Sequence, residues 1–196
     1  MGGKKALNEE RLMELAKKVS ENEQLINFET FNEEMTISQV VRFFKRNGKN
    51  FTKTMIQNYV RVGVIPPPVD KRYYTKNHLI LLTLVDNLKL IYSLDEIKTL
   101  FGPILKNTTS FDDDMIKVSD LYSDYIHLHA KALKDWKQYL PSTLEEVNKK
   151  LEDYHINENE KDIASVFMLV LTIMAETIAL KKLIDLISQE YLTNNE

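Results

Sequence analysis

Residues 36–74 constrain this chain more than any other stretch, because helix signals give way there to a basic turn, return, and then meet a run that no helix can hold. Thr36-Ile37-Ser38-Gln39 has the spacing of a capping box, in which a Thr oxygen takes a helix-start amide and Gln39 reaches back. The apolar residues Val40, Val41, Phe43 and Phe44 follow it. Lys45, Arg46, Asn47, Gly48, Lys49 and Asn50 then form a basic turn, whose Asn and Gly residues suit positive φ angles. Thr52 is placed to cap a second helix, with Met55, Ile56, Tyr59 and Val60 on its buried face. Lys53, Thr54, Gln57, Asn58 and Arg61 lie opposite, and Gly63 ends the helix. From Val64 to Tyr74 consecutive prolines lack N–H donors and push their predecessors out of helical geometry. Two helices followed by a tight basic hairpin predict a winged helix-turn-helix.

The stretch Phe51-Thr-Lys-Thr-Met-Ile-Gln-Asn-Tyr-Val-Arg-Val-Gly-Val-Ile-Pro-Pro67 resembles the DNA-binding domain of the MerR transcription regulators, as do Arg72-Tyr-Tyr-Thr75 and Tyr92-Ser-Leu-Asp-Glu-Ile-Lys98. The resemblance covers about residues 36–101 and implies a recognition helix, a short β wing and a further helix opening on the Ser-Leu phrase. Two features depart from that family's pattern. Gln57 and Asn58 stand where an Arg and an aromatic are usual, and few residues separate Pro68 from Arg72, so the wing is expected to be short and to make fewer phosphate contacts. More loosely, the whole chain resembles a bacterial group with a MerR-like front half and a helical back half.

Charge points the same way. The 196-residue chain has a net charge of −3, yet residues 35–80 carry nine of its 26 basic residues and only one of its 29 acids, Asp70. A basic module inside an acidic protein is the footprint of a polyanion binder. The absence of cysteine excludes disulfides, Cys-based zinc sites and the thiolate-ligated metal sensing known among MerR regulators.

Outside the central stretch, Leu12, Leu15, Ala16 and Val19 predict an amphipathic helix over residues 8–20, and Phe28 and Phe31 anchor a connector over 21–34. Thr75 begins a helix with an apolar face of Leu81, Leu84, Val85, Leu88 and Ile91. Ser93 to Glu96 is a second capping box, opening a helix that buries Ile97, Leu100 and Phe101 before Gly102-Pro103. His78 reads as a surface or packing histidine rather than a ligand. Residues 103–114 read as a linker, with Asn107 to Ser110 a turn and Asp112, Asp113 and Asp114 as first-turn acids rather than metal ligands.

A long helix with Val118, Leu121, Tyr122, Tyr125, Ile126, His129, Ala132, Leu133, Trp136 and Leu140 on one stripe should run until Pro141. Its aromatics Tyr122, Tyr125, Trp136 and Tyr139 are either core or the lining of an effector pocket. His127 and His129 point apart and cannot share one ion. Ser142 to Glu145 should cap a helix through about Tyr154, and Asn157 to Glu160 the last one. Ile163 to Ala175 are thirteen uncharged residues, apolar on nearly all sides. At 1.5 Å per residue they span about 20 Å, short of a bilayer core, so this helix is expected to be the bundle centre or a dimer interface, with Phe167, Leu171, Met174 and Ile178 in that contact.

The expected fold is therefore mainly α. Residues 1–34 form an N-terminal helix and connector, 35–106 a MerR-like winged helix-turn-helix with a minimal β wing, and 107–196 an all-α bundle for dimerisation or effector sensing. No glycine-rich phosphate loop, nucleophile elbow or His-Glu-x-x-His is present, so no enzyme activity, metal or cofactor is expected. Met1-Gly-Gly-Lys-Lys5 and Asn8-Glu-Glu-Arg11 contain no apolar leader, which predicts a cytoplasmic protein without a membrane partner.

The reading is a sequence-specific regulator of double-stranded DNA, a homodimer with scope for a small-molecule effector in its C-terminal domain. Lys53, Thr54, Gln57, Asn58 and Arg61 would face bases; Arg42, Lys45, Lys49, Thr52, Lys71, Arg72 and Tyr73 would hold phosphates. The alternative is a protein-interaction module that keeps the winged shape without reading DNA. Nine basic residues around the reading head favour DNA.

Overall fold

Short-range caps set most of the element boundaries in the computed structural model, which describes residues 7–105, 111 and 116–192. Asn8 caps α1 (Glu9–Asn22), Thr36 and Gln39 form the capping box of α2 (Ile37–Arg46), and Thr52 Oγ1 accepts from the Met55 N–H to start α3 (Lys53–Arg61). Thr75 opens α4 (Lys76–Leu88), and the Ser93–Glu96 capping box opens α5 (Leu94–Phe101). Then come α6 (Val118–Asp135), α7 (Leu140–Leu151) and α8 (Glu158–Tyr191). Each such cap satisfies a helix-start donor and contributes about 1 kcal/mol. Two short strands, β1 (Met35–Thr36) and β2 (Tyr73–Tyr74), pair antiparallel, with Met35 opposite Tyr74. Among the described residues the protein is mainly α.

Contacts group the chain into two units, residues 25–128 with 187–196, and residues 1–24 with 129–186. These boundaries differ from divisions at 35 and 107. In the first unit the connector's Phe28 is 1 % exposed and packs with Phe31, Phe43 and Tyr122, so connector and early α6 share one core with α2 to α5.

That core is laid on α4. Leu79, Ile80, Leu81, Leu82 and Val85 are all buried, so α4 is enclosed on nearly every side. Val40 and Phe44 of α2, Ile56 and Tyr59 of α3, and Ile97 of α5 join the same cluster. Ile91, expected on the α4 stripe, instead lies beyond the helix and is exposed, because α4 closes at Leu88. The turn between α2 and α3 needs positive φ only at Gly48 (73°), while Asn47 stays at −94°. Gly63 (74°) ends α3 in the same way, and a side chain there would press on Lys98.

After Gly63 the chain forms a tight hairpin. Val69 and Tyr73 exchange two backbone hydrogen bonds of 2.8 Å, and the Arg72 N–H donates to the Val69 carbonyl at 3.0 Å. Asp70 (φ 49°) and Lys71 (φ 57°) both take left-handed backbone at its tip, the requirement of a type I′ turn. The base of the hairpin is clamped by His78, which is buried. Its Nδ1 accepts the Thr75 backbone N–H at 3.0 Å, which leaves Nε2 protonated to donate to the Pro67 carbonyl at 3.1 Å. Burial holds the His78 pKa below 6.5, against an opposing contribution from the Pro67 and Pro66 carbonyls.

In the second unit Leu12 and Ala16 of α1 pack with Leu140, Leu144 and Leu169 of α7 and α8. Leu15 and Val19 remain exposed. The Trp136 Nε1–H donates to Ser20 Oγ at 3.3 Å, and Ser20 Oγ donates to the Leu133 carbonyl at 2.9 Å. Pro141 begins a helix rather than ending one. The α6 stripe stops at Asp135, and Pro141 occupies the first turn of α7, where its missing N–H costs nothing. Ser142 accordingly donates to the Tyr139 carbonyl instead of capping, and α7 closes at Leu151, short of Tyr154.

The larger departure is α8. Asn157 and Glu160 cap it reciprocally, but of its 34 residues only Ser165 and Leu169 are buried. Phe167, Leu171, Met174 and Ile178 are all exposed, so the helix is not the centre of a bundle within this chain. Too few neighbours reach it: only Leu169 and Ile173 join the apolar cluster with α1 and α7. By length and composition alone it is also long enough to cross a bilayer, since an apolar window continues past Ala175 and across Glu176. Asn107 to Ser110 and Asp112 to Asp114 lie outside the described residues.

Two stability predictions follow from the hairpin. Lys71 holds a left-handed backbone that costs an ordinary L-residue about 1 kcal/mol, so Lys71→Gly should stabilise the protein by up to that amount in thermal unfolding. The lowered pKa of His78 means that the unfolded chain binds the proton more readily than the fold. Its contribution is complete above pH 6.5 and is lost as pH falls through 6.5 towards the lower folded value. Unfolding midpoints taken from pH 7.5 to 5.5 should therefore fall less steeply in His78→Gln than in the unmodified protein.

Candidate nucleic-acid interface

The exposed side of α3 follows from how its other side is used. Ile56 and Tyr59 face the core, and Thr52 is spent on the N-cap. Lys53, Thr54, Gln57 and Arg61 are left exposed, with Asn58 half-buried beside them. The Arg61 guanidinium donates to Asn58 Oδ1 at 2.6 Å, which orients both side chains on one surface.

The hairpin adds a second wall. Gln57 and Val60 of α3, Thr36 and Ile37 at the start of α2, and Pro68, Lys71, Arg72 and Tyr74 of the hairpin line one cleft of about 410 Å³. Sequence-separated groups thus meet: an amide from the helix and two cations from the hairpin. Pairing of β1 with β2 is what ties the hairpin to the start of α2. The Arg72 guanidinium lies 5.2 Å from the Tyr73 ring centroid, a cation–π contact that braces it along the hairpin.

The remaining cations divide. Arg42 and Lys45 are exposed on α2. Lys49 is not presented in the same way, because its ammonium pairs with Asp86 of α4 at 3.3 Å, and Lys89 binds the same carboxylate at 2.6 Å. With its side chain only 19 % exposed, Lys49 anchors the turn onto α4 rather than standing free for a phosphate. Thr52, whose hydroxyl caps α3, is likewise committed to the fold. Nothing near Lys49 in the sequence marks Asp86 as its partner.

Of the aromatic residues of α6 and its following turn, Tyr122 and Tyr125 belong to the first unit and Trp136 and Tyr139 to the second. Tyr122 is buried and donates to the Ile26 carbonyl at 2.9 Å, and burial pushes its pKa up. It borders a cleft of about 230 Å³ whose polar lining includes Lys76, Asp120 and His127. Tyr125 and Tyr139 are partly exposed, and Trp136 is engaged with Ser20. Among the described residues no cluster of His, Cys, Asp or Glu is arranged to hold a metal ion.

No curated protein and no solved structure matches the chain. The profile of the family described as Domain of unknown function (DUF1836) matches residues 20–125. This span contains the connector, α2 to α5, the hairpin and the start of α6, and so the cleft and both of its walls. It exceeds half of the chain, and the protein belongs to the DUF1836 family.

Proposed function

We propose that residues 35–105 form a MerR-like winged helix-turn-helix and that the protein is a sequence-specific, DNA-binding transcription regulator acting in the cytoplasm. The observation that carries this reading is the shared cleft of Gln57, Lys71 and Arg72. A groove-reading amide and two phosphate-seeking cations on adjoining walls match the division of labour in duplex recognition, where base edges specify and phosphates position.

In this reading α3 enters the major groove. Gln57, or Asn58 once released from Arg61, forms a bidentate pair with adenine, while Lys53, Thr54 and Arg61 face neighbouring positions. Arg42 and Lys45 on α2 and Lys71, Arg72 and Tyr73 on the hairpin take phosphates. The excess of basic residues over residues 35–80 supplies the non-specific attraction, and the acidic remainder of the chain keeps it local.

Selection of genomic fragments by the purified protein should enrich one duplex sequence well above random DNA. Failure to enrich any site, with no binding to any duplex at low salt, would remove DNA reading and leave a protein-interaction module. The two kinds of contact are separable by mutation. Arg72→Ala should weaken binding to all sequences alike and reduce the magnitude of the salt-dependence slope by about one unit, because one fewer counterion is released. Gln57→Ala should instead relax the preference at one base pair, by about 1–3 kcal/mol. Equal effects of both changes across an operator panel would show that this docking is wrong.

A further inference from the structure

Beyond the DNA-reading region, α8 carries an apolar seam that its own chain does not cover. Ile163, Val166, Val170, Ile173, Thr177, Leu180, Ile184, Ile187 and Tyr191 follow one another at alternating steps of three and four residues. That is the a/d pattern of a coiled coil, sustained over the four heptads that make such a pattern meaningful. The seam is about 43 Å long at 1.5 Å per residue. It stands open at both ends: Ile163 is 71 % exposed, Leu180 58 % and Tyr191 68 %. Ile173 alone among the nine packs against the α1–α7 cluster.

Charge placement decides what covers it. None of the charged residues of α8 falls on the seam; Lys181, Lys182, Asp185 and Glu190 interleave with its last third and stay off the a and d positions. A bilayer-spanning helix over Ile163–Leu180 would have to take Glu176 into the hydrocarbon and would leave the last third of the seam, Ile184 to Tyr191, running on past it uncovered. A partner helix in water tolerates these charges, because they flank the seam. The flanks are also self-complementary. Glu176 occupies a g position and Lys181 the e position five residues on, so two copies in parallel bring Glu176 of each beside Lys181 of the other. Within one chain Glu176 lies beside the Tyr139 phenol and Lys181 bonds Asp185, which keeps both side chains at the edge of the seam.

We propose that the occupant is a second copy of this chain, paired with the first through a parallel, in-register coiled coil of α8. β-branched Ile163, Val170 and Ile184 at a positions suit close parallel pairing, and Phe167 and Met174 at e positions widen the buried face in its first half. This pairing is independent of DNA reading and is tested without DNA.

Because the chain has no cysteine, a single introduced thiol is unique. In parallel register Ile184→Cys sets the two thiols against each other, and mild oxidation of the full-length protein should give nearly complete covalent dimer on a non-reducing gel. Lys182→Cys, on the outer face, should stay uncross-linked under the same oxidant. Sedimentation of the unmodified protein should give the mass of two copies. Glu176→Lys should weaken pairing about tenfold, and adding Lys181→Glu in the same chain should restore it, which general destabilisation of the helix would not allow. A folded monomer at tens of micromolar overturns the proposal, as does a dimer that Ile184→Cys fails to cross-link. Flotation of the monomer with anionic vesicles would assign the seam to lipid instead.

Discussion

Burial of α4 is the constraint on which the 25–128 unit depends. Six consecutive residues, His78 to Thr83, are buried, so this helix has no face to give to water in its first turns and must be surrounded. Each apolar side chain so enclosed contributes about 1.5–3 kcal/mol, and the surrounding is done by every neighbouring element in turn. Phe44, Ile56, Tyr59 and Ile97 approach from α2, α3 and α5, and Phe28 closes the connector over them. The exposed side of α3 is then a consequence: once Ile56 and Tyr59 are committed inward, helical geometry leaves Lys53, Thr54, Gln57 and Arg61 outside.

Polar groups adjust this arrangement at its edges. His78 and Thr83 are the polar side chains of that buried run; His78 is kept neutral by burial, its Nδ1 accepting from Thr75 and its Nε2 donating to the Pro67 carbonyl. Its two ring nitrogens join the cap of α4 to the base of the hairpin, so the position of Lys71 and Arg72 depends on a group well outside their own turn. Asp86 does similar work on the far side of the helix, drawing in Lys49 and Lys89 together. A partly buried carboxylate with two cations beside it keeps the α2–α3 turn against the core and removes one cation from the outer surface.

Much of the candidate site is legible in the sequence. Thr36, Thr52 and Ser93 cap where their spacing says, Gly48 and Gly63 take left-handed backbone, and the side of α3 rich in polar residues is the exposed one. These features are decided by neighbours within about four residues. What escaped the sequence depends on distant partners: the pairing of Met35-Thr36 with Tyr73-Tyr74, the His78 bond to Pro67, and the loss of Lys49 to Asp86. The role of Pro141 escapes the sequence for a related reason, since a proline can end one helix or begin the next, and only the packing of Leu140 and Leu144 shows which.

The contrast between α4 and α8 marks the boundary most clearly. The buried run of α4 and the Ile163–Ala175 stretch of α8 are both apolar on nearly every side, and by composition alone each demands enclosure. The tertiary structure encloses α4 and leaves α8 open, because α2, α3, α5 and the connector converge on the first while the apolar cluster that reaches the second is a small one built on α1 and α7. The sequence by itself determined where helices begin, where the backbone turns, where positive charge collects and which residues of α8 form a seam. Which apolar face the chain covers was decided only in three dimensions, since burial is a competition among all faces for the same few neighbours, and periodicity records the need for a partner without recording who supplies it.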